Sequence, residues 1–136
     1  MRKFHKKNAA LATAILTITA TALTANADEP FITCSDPFTV SYTNFEAVMD
    51  IYAKTPHALI VCSTDNISNV SNATSKIKTT CEYVDSSGNE KEVTYNRTTW
   101  SYQFYAPGAT QMCSSVTSVH TVTYNGNSNY GLVIYG

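Results

Sequence analysis

The first 27 residues constrain this chain most, because their pattern predicts export from the cytoplasm before folding is considered. Arg2, Lys3, Lys6 and Lys7 form a positive head, and Ala9 to Ala25 is an uncharged stretch rich in Ala, Leu, Ile and Thr. Ala25-Asn26-Ala27 then places small residues at the two positions a signal peptidase reads. Head, apolar middle and small-x-small exit are the pattern of a secretory signal peptide. The apolar run is too short and too Thr-rich for a good membrane span, which needs about 20 apolar residues. The expectation is a signal peptide at 1–27 and one mature domain at 28–136, secreted or periplasmic, with no membrane span after cleavage.

Cleavage after Ala27 leaves 136 − 27 = 109 residues, a length for one domain. Four of the nine basic residues leave with the leader, while all ten acidic residues stay. The mature net charge is therefore 5 − 10 = −5 with His neutral, against −1 for the whole chain. Such a domain repels phosphate backbones and anionic lipid, which argues against bulk nucleic-acid or membrane binding.

Cys34, Cys62, Cys81 and Cys113 all fall in the mature part. An even number in an oxidising compartment predicts two disulfides, with three possible connectivities. Cys34–Cys62 with Cys81–Cys113 is the preferred pairing. No C-x₂-C spacing supports a zinc site, and no motif calls for a cofactor.

Phe45, Val48, Met49 and Tyr52 recur at i, i+3, i+4 and i+7, the apolar stripe of a helix. Thr43 and Glu46 fit a capping box, and Pro56 ends the run, so a helix is expected over 44–54. Ala58 to Cys62 reads as a buried strand. Lys76–Asp85 and Lys91–Thr99 alternate about Ser86-Ser87-Gly88-Asn89, a hairpin placing Tyr83 opposite Val93 and Cys81 opposite Tyr95. Trp100 to Tyr105 follows as a strand with Trp100, Tyr102 and Phe104 on one side. Val116–Tyr124 and Tyr130–Tyr135 form a last hairpin with Val122 facing Leu132. The sum is an α+β fold, one N-terminal helix packed on an antiparallel sheet of about five strands. An all-β sandwich is the alternative if the helix fails.

No complete catalytic motif is present. His57, Glu82, Arg97 and His120 nevertheless lie on or beside different strands. A carboxylate base, a histidine acid and an arginine on a phosphate form a workable set for cleaving RNA. In layout the chain resembles the microbial guanyl-specific ribonucleases, small acidic Tyr-rich secreted domains with a helix before an antiparallel sheet. That resemblance implies a small secreted hydrolase. Against it, Glu82 falls on the opposite strand face from Arg97, and His120 falls where a satisfied core histidine would.

With Trp100, Tyr102 and Phe104 turned inward, Tyr105, Tyr130 and Tyr135 become the candidate contact residues. The main expectation is a non-enzymatic binding or inhibitory domain that recognises a protein or glycan partner. The uncharged C-terminal run Tyr130–Tyr135 gives a third reading, an oligomeric or pilin-like assembly subunit. Asn66, Asn69, Asn72 and Asn96 each begin an Asn-x-Ser/Thr triplet. Only a eukaryotic secretory path would make them glycan acceptors.

Overall fold

The computed structural model describes residues 28–136, so the leader at 1–27 lies outside the described residues. Eight strands run β1 (Pro30–Val40), β2 (Thr43–Tyr52), β3 (Leu59–Asp65), β4 (Thr74–Val84), β5 (Glu90–Thr98), β6 (Ser101–Tyr105), β7 (Ser115–Tyr124) and β8 (Asn127–Tyr135). They form two antiparallel four-stranded sheets, ordered β1-β2-β3-β6 and β5-β4-β7-β8. The chain crosses between sheets at the β3–β4, β5–β6 and β6–β7 connections.

The α+β expectation is overturned: the described residues contain no helix, and the all-β sandwich is the architecture. Residues 44–54, expected as a helix, lie largely in β2. Two periodicities coexist in that segment, and tertiary pairing chooses between them. Phe45, Ala47, Met49 and Ile51 alternate and are fully or nearly fully buried, while Val48 and Tyr52 are only half-buried on the outer face. β2 is hydrogen-bonded on both sides, to β1 and to β3. A strand there satisfies its backbone twice over and buries every second side chain. Thr43 caps nothing; its hydroxyl donates to the Val40 carbonyl at 2.5 Å across the tight turn.

The core lies between the sheets. Phe45, Met49, Ile51 and Ile60 from one sheet meet Ile77, Val116, Val122 and Val133 from the other. Across its middle runs a continuous buried polar chain. Ser75 Oγ donates to Thr64 Oγ1 (3.1 Å), and Thr64 Oγ1 meets His120 Nδ1 (3.1 Å). His120 Nε2 meets Ser118 Oγ (2.8 Å), which meets Thr79 Oγ1 (2.9 Å). Tyr102 Oη donates to Thr79 at 2.5 Å. Apolar surface is fungible, whereas these partners fit in one arrangement only. The chain thus ties β3 and β6 to β4 and β7 in one register.

β1 and β8 close the sandwich on one side. Leu132 N–H donates to Asp36 Oδ2 (2.9 Å) and the Asn129 amide to the Thr39 carbonyl (2.9 Å). All of Gly131 to Tyr135 is buried, so the apolar C-terminal run is covered on both faces.

The expected double disulfide is not present: all four cysteines are buried free thiols. Cys34–Cys62 is corrected outright. Both face Met49, from opposite sides of β2, so two strand spacings, about 9.6 Å, separate them. A disulfide tolerates at most about 7 Å between Cα atoms.

Candidate functional site

The four residues of the hydrolase set stay apart. Glu82 is exposed on the outer face of its sheet and accepts from Ser115 Oγ at 2.9 Å. Arg97 points to the inner side of β5, its guanidinium 6.0 Å from the Tyr95 and Tyr102 ring centres. His120 is completely buried in the polar chain, and Ile77 stands between it and Arg97 as cross-strand neighbour of both. His57 sits on the β2–β3 loop with Nδ1 donating to the Thr110 carbonyl (3.2 Å). No hydrogen bond joins any two of the four among the described residues. Burial holds His120 well below the ordinary imidazole value, at about 4, partly offset by the Ser63 carbonyl. A neutral ring offers one donor and one acceptor, which suits a hydroxyl at each nitrogen; an imidazolium offers two donors. Thus His120 is a structural member of the core. Among the described residues, no group of three or more His, Cys, Asp or Glu side chains could hold a metal, and no helix is long and apolar enough to cross a membrane.

The candidate contact tyrosines divide. Tyr105 is 62% exposed and, with Thr55, Pro56 and His57, lines a cleft of about 330 Å³ at the end where the β2–β3 loop sits. Tyr130 is half-buried on the outer side of β8 opposite Thr121. Tyr135 is corrected: it faces inward opposite Val116 and is 2% exposed, so it is core and not a contact residue.

The opposite end holds what the sequence reading missed. Two tight hairpins lie side by side there. β7–β8 turns on Asn125 (φ 54°) and Gly126 (φ 80°). That pair is the favoured solution for a two-residue turn with both φ angles positive. The β1–β2 hairpin needs the same geometry but uses Ser41 (φ 48°) and Tyr42 (φ 62°). Ser41 is accounted for by its bonds. Its hydroxyl donates to the Tyr124 carbonyl (3.2 Å) and accepts from the Asn127 amide (2.7 Å), lacing the two tips together. Tyr42 has no such account. It is 102% exposed and buries nothing. An L-residue in the left-handed region costs about 1–2 kcal/mol.

Beside it, the β3–β4 loop is tied to Asn44. Ser68 N–H donates to the Asn44 carbonyl (3.2 Å), and Asn44 N–H donates to Ser68 Oγ (2.8 Å). This presents Ile67, 57% exposed, over a groove of about 370 Å³ that also takes in Pro37, Thr39 and Glu46. Two of the three exposed large apolar residues of the described domain therefore share one end. The sheet face leading away from it carries Glu46, Asp50 and Asp65 and no basic residue. Glu46 and Asp65 stand directly opposite each other across β2–β3. Like charges so placed are destabilising for the isolated sheet.

The strain gives a stability prediction. Tyr42→Gly relieves about 1–2 kcal/mol of left-handed strain and loses up to about 1 kcal/mol through a more flexible unfolded chain. Denaturant unfolding should find the variant at least as stable as the parent. A loss above about 1 kcal/mol would give Tyr42 a structural role.

Neither a scan against protein-family models nor searches of curated proteins and of solved structures gave a match, so the reading of this domain rests on its own geometry.

Proposed function

We propose that the chain is an exported, non-enzymatic binding domain that engages a partner protein through the Tyr42–Ile67 end. The observation that carries this reading is Tyr42, held fully exposed on strained backbone by a hairpin laced to its neighbour. Strained residues persist where the surroundings over-determine them, and they cluster at functional sites. A tyrosine on a rigid tip loses little entropy on binding, and aromatic anchors are enriched among residues that dominate interfaces.

Two further features set the partner's chemistry. Ile67 supplies an aliphatic contact that a sugar uses poorly, which favours a protein over a glycan. Glu46 and Asp65 beside the groove are complemented by a partner with Lys or Arg around an apolar contact. Export is supported by the charged head, apolar middle and Ala25-Asn26-Ala27 exit of the leader. The hydrolase reading loses its support, since its base, acid and arginine share no cleft.

The test is a photo-crosslinking residue at position 42, compared with one at Thr94, exposed on the outer face of β5. In the source cells' extracellular or periplasmic fraction, position 42 should yield a discrete protein adduct and position 94 none. Equal labelling at both, or none at 42, contradicts the proposal. An adduct that carries only carbohydrate moves the site to the glycan class.

A further inference from the structure

Two pairs of like charge lie on opposite faces of the sandwich. Glu46 and Asp65 stand opposite each other on the outer face of the β1-β2-β3-β6 sheet, about 5 Å apart at Cβ. On its other side Glu46 faces Pro37, which brings no charge to it. Lys76 and Lys78 are exposed on the outer face of the second sheet, since Ile77 and Thr79 point into the core. Two residues along one strand set them about 7 Å apart. Their cross-strand neighbours are Thr98 and Asn96 on β5 and Thr121 and Val119 on β7, so no carboxylate stands opposite either ammonium. Each pair therefore repels itself at a similar spacing.

Apolar surface borders both pairs. Tyr42 and Ile67 accompany the carboxylates at the hairpin end. Val119 stands directly across from Lys78 and packs on Leu132 and Ile134, while Tyr130 lies one strand beyond Lys76, opposite Thr121.

We infer that the partner of the Tyr42–Ile67 end is a second copy of this chain, docked by its Lys76–Lys78 face. The inference rests on the reading that this end binds a protein, and it names that protein by chemistry the chain itself carries. Every exported molecule brings both halves of the contact in equal number. On docking, each carboxylate meets an ammonium, so two repulsions are exchanged for two attractions. The lysine stems add apolar surface beside Val119, and an ammonium over the Tyr42 ring is attracted by its π face.

The geometry also sets the symmetry. The acidic pair and the basic pair point in opposite directions, so no twofold dimer joins both at once. The contact is heterologous. Each added copy leaves one acidic end and one basic face open, and assembly proceeds to a ring or a filament. Thr94, opposite Thr80 and beyond the Lys78 row, lies outside the contact.

The test is sedimentation velocity on the protein as exported, with charge-reversed variants. In about 50 mM salt the weight-average mass should at least double between about 1 and 200 µM, and it should return to the monomer in about 500 mM salt. Lys76→Glu combined with Lys78→Glu should sediment as a monomer, and so should Glu46→Lys combined with Asp65→Lys. Mixed in equal amounts, the two double variants should associate again, because each then supplies the charge that the other's reversed surface requires. That recovery also shows that both variants fold. In the purified parent, a photo-crosslinking residue at position 42 should join to β4 or β7 of another copy. A parent that stays monomeric at every concentration, double variants that associate alone as the parent does, or a mixture of folded variants that stays monomeric overturns the inference. Capture of a different protein by position 42 in the native fraction, without self-association, removes the self-contact and leaves the binding reading standing. Capture of neither a copy nor another protein removes both.

Discussion

Acidification from pH 7 to pH 4 should cost the folded domain about 3 kcal/mol through His120 alone. In the folded state this ring sits at about 4 instead of its ordinary 6.5, because burial disfavours the imidazolium. Above pH 6.5 the ring is neutral in both folded and unfolded chains, and its full contribution is present. Between 6.5 and 4 the unfolded chain takes up a proton that the folded domain refuses. Stability therefore falls by about 1.4 kcal/mol for each pH unit lowered, and the slope from this residue ends near pH 4.

His120→Gln isolates the effect. Glutamine keeps a donor and an acceptor for Thr64 and Ser118 but does not titrate. Denaturant unfolding of parent and variant from pH 7.5 to 4 should diverge toward acid by about 3 kcal/mol, the variant losing less. Parallel curves would mean that the ring is not a buried neutral group. Should the variant fail to fold, the ring protons of His120 in the parent answer the same question by showing no titration above pH 5.

Gly131→Ala should destabilise the domain by about 2–3 kcal/mol. Gly131 faces the core opposite His120, where β8 comes up against β1. A Cβ there would stand 2.8 Å from both Ala47 Cβ and Phe38 Cδ1, and 2.9 Å from the Asp36 carbonyl oxygen. The Phe38 ring can turn, but the Asp36 carbonyl belongs to a strand paired along its length with β2. The two edges must separate, which also strains the bond from Leu132 N–H to Asp36. Gly126→Ala is the comparison. Its Cβ meets nothing within 4 Å, so its cost is only the left-handed strain at φ 80°, about 1 kcal/mol. Equal losses for the two variants would show that β1 and β8 are not in contact at Gly131.

Alternation was the legible part of this chain. For the β4–β5 hairpin it places Glu82 on the opposite face from Arg97, and the strands alternate as expected, with Cys81 inward and Glu82 outward. Register was not legible. Cys81 pairs with Val93 and Tyr83 with Lys91, two residues from the expected match. An even slip keeps every side chain on its face, so patterning does not detect it. At the C-terminal hairpin the slip is odd. The turn takes two residues, Asn125 and Gly126, and not five, so Leu132 meets Val119 instead of Val122. Asn-Gly flanked by alternating runs carried that information, but the surrounding Asn and Ser residues masked it.

The helix expectation failed for a related reason. Phe45, Val48, Met49 and Tyr52 match a period of 3.6, while Phe45, Ala47, Met49 and Ile51 match a period of 2. Only the flanking strands decide between them. That error concealed the Ser41-Tyr42 turn, since a hairpin tip has no meaning before a helix. Cysteine number likewise says nothing of geometry. Cys34 and Cys62 share a face and a neighbour, and the intervening strand keeps them from bonding.

Binding by immobilised parent and Tyr42→Gly domains, each first shown folded by its unfolding transition, is the most direct measurement. The glycine variant should be no less stable and yet lose the partner recovered through position 42. A glycine variant that retains that partner at parental affinity would show that the strained tip serves no contact, and the proposed interface would fall.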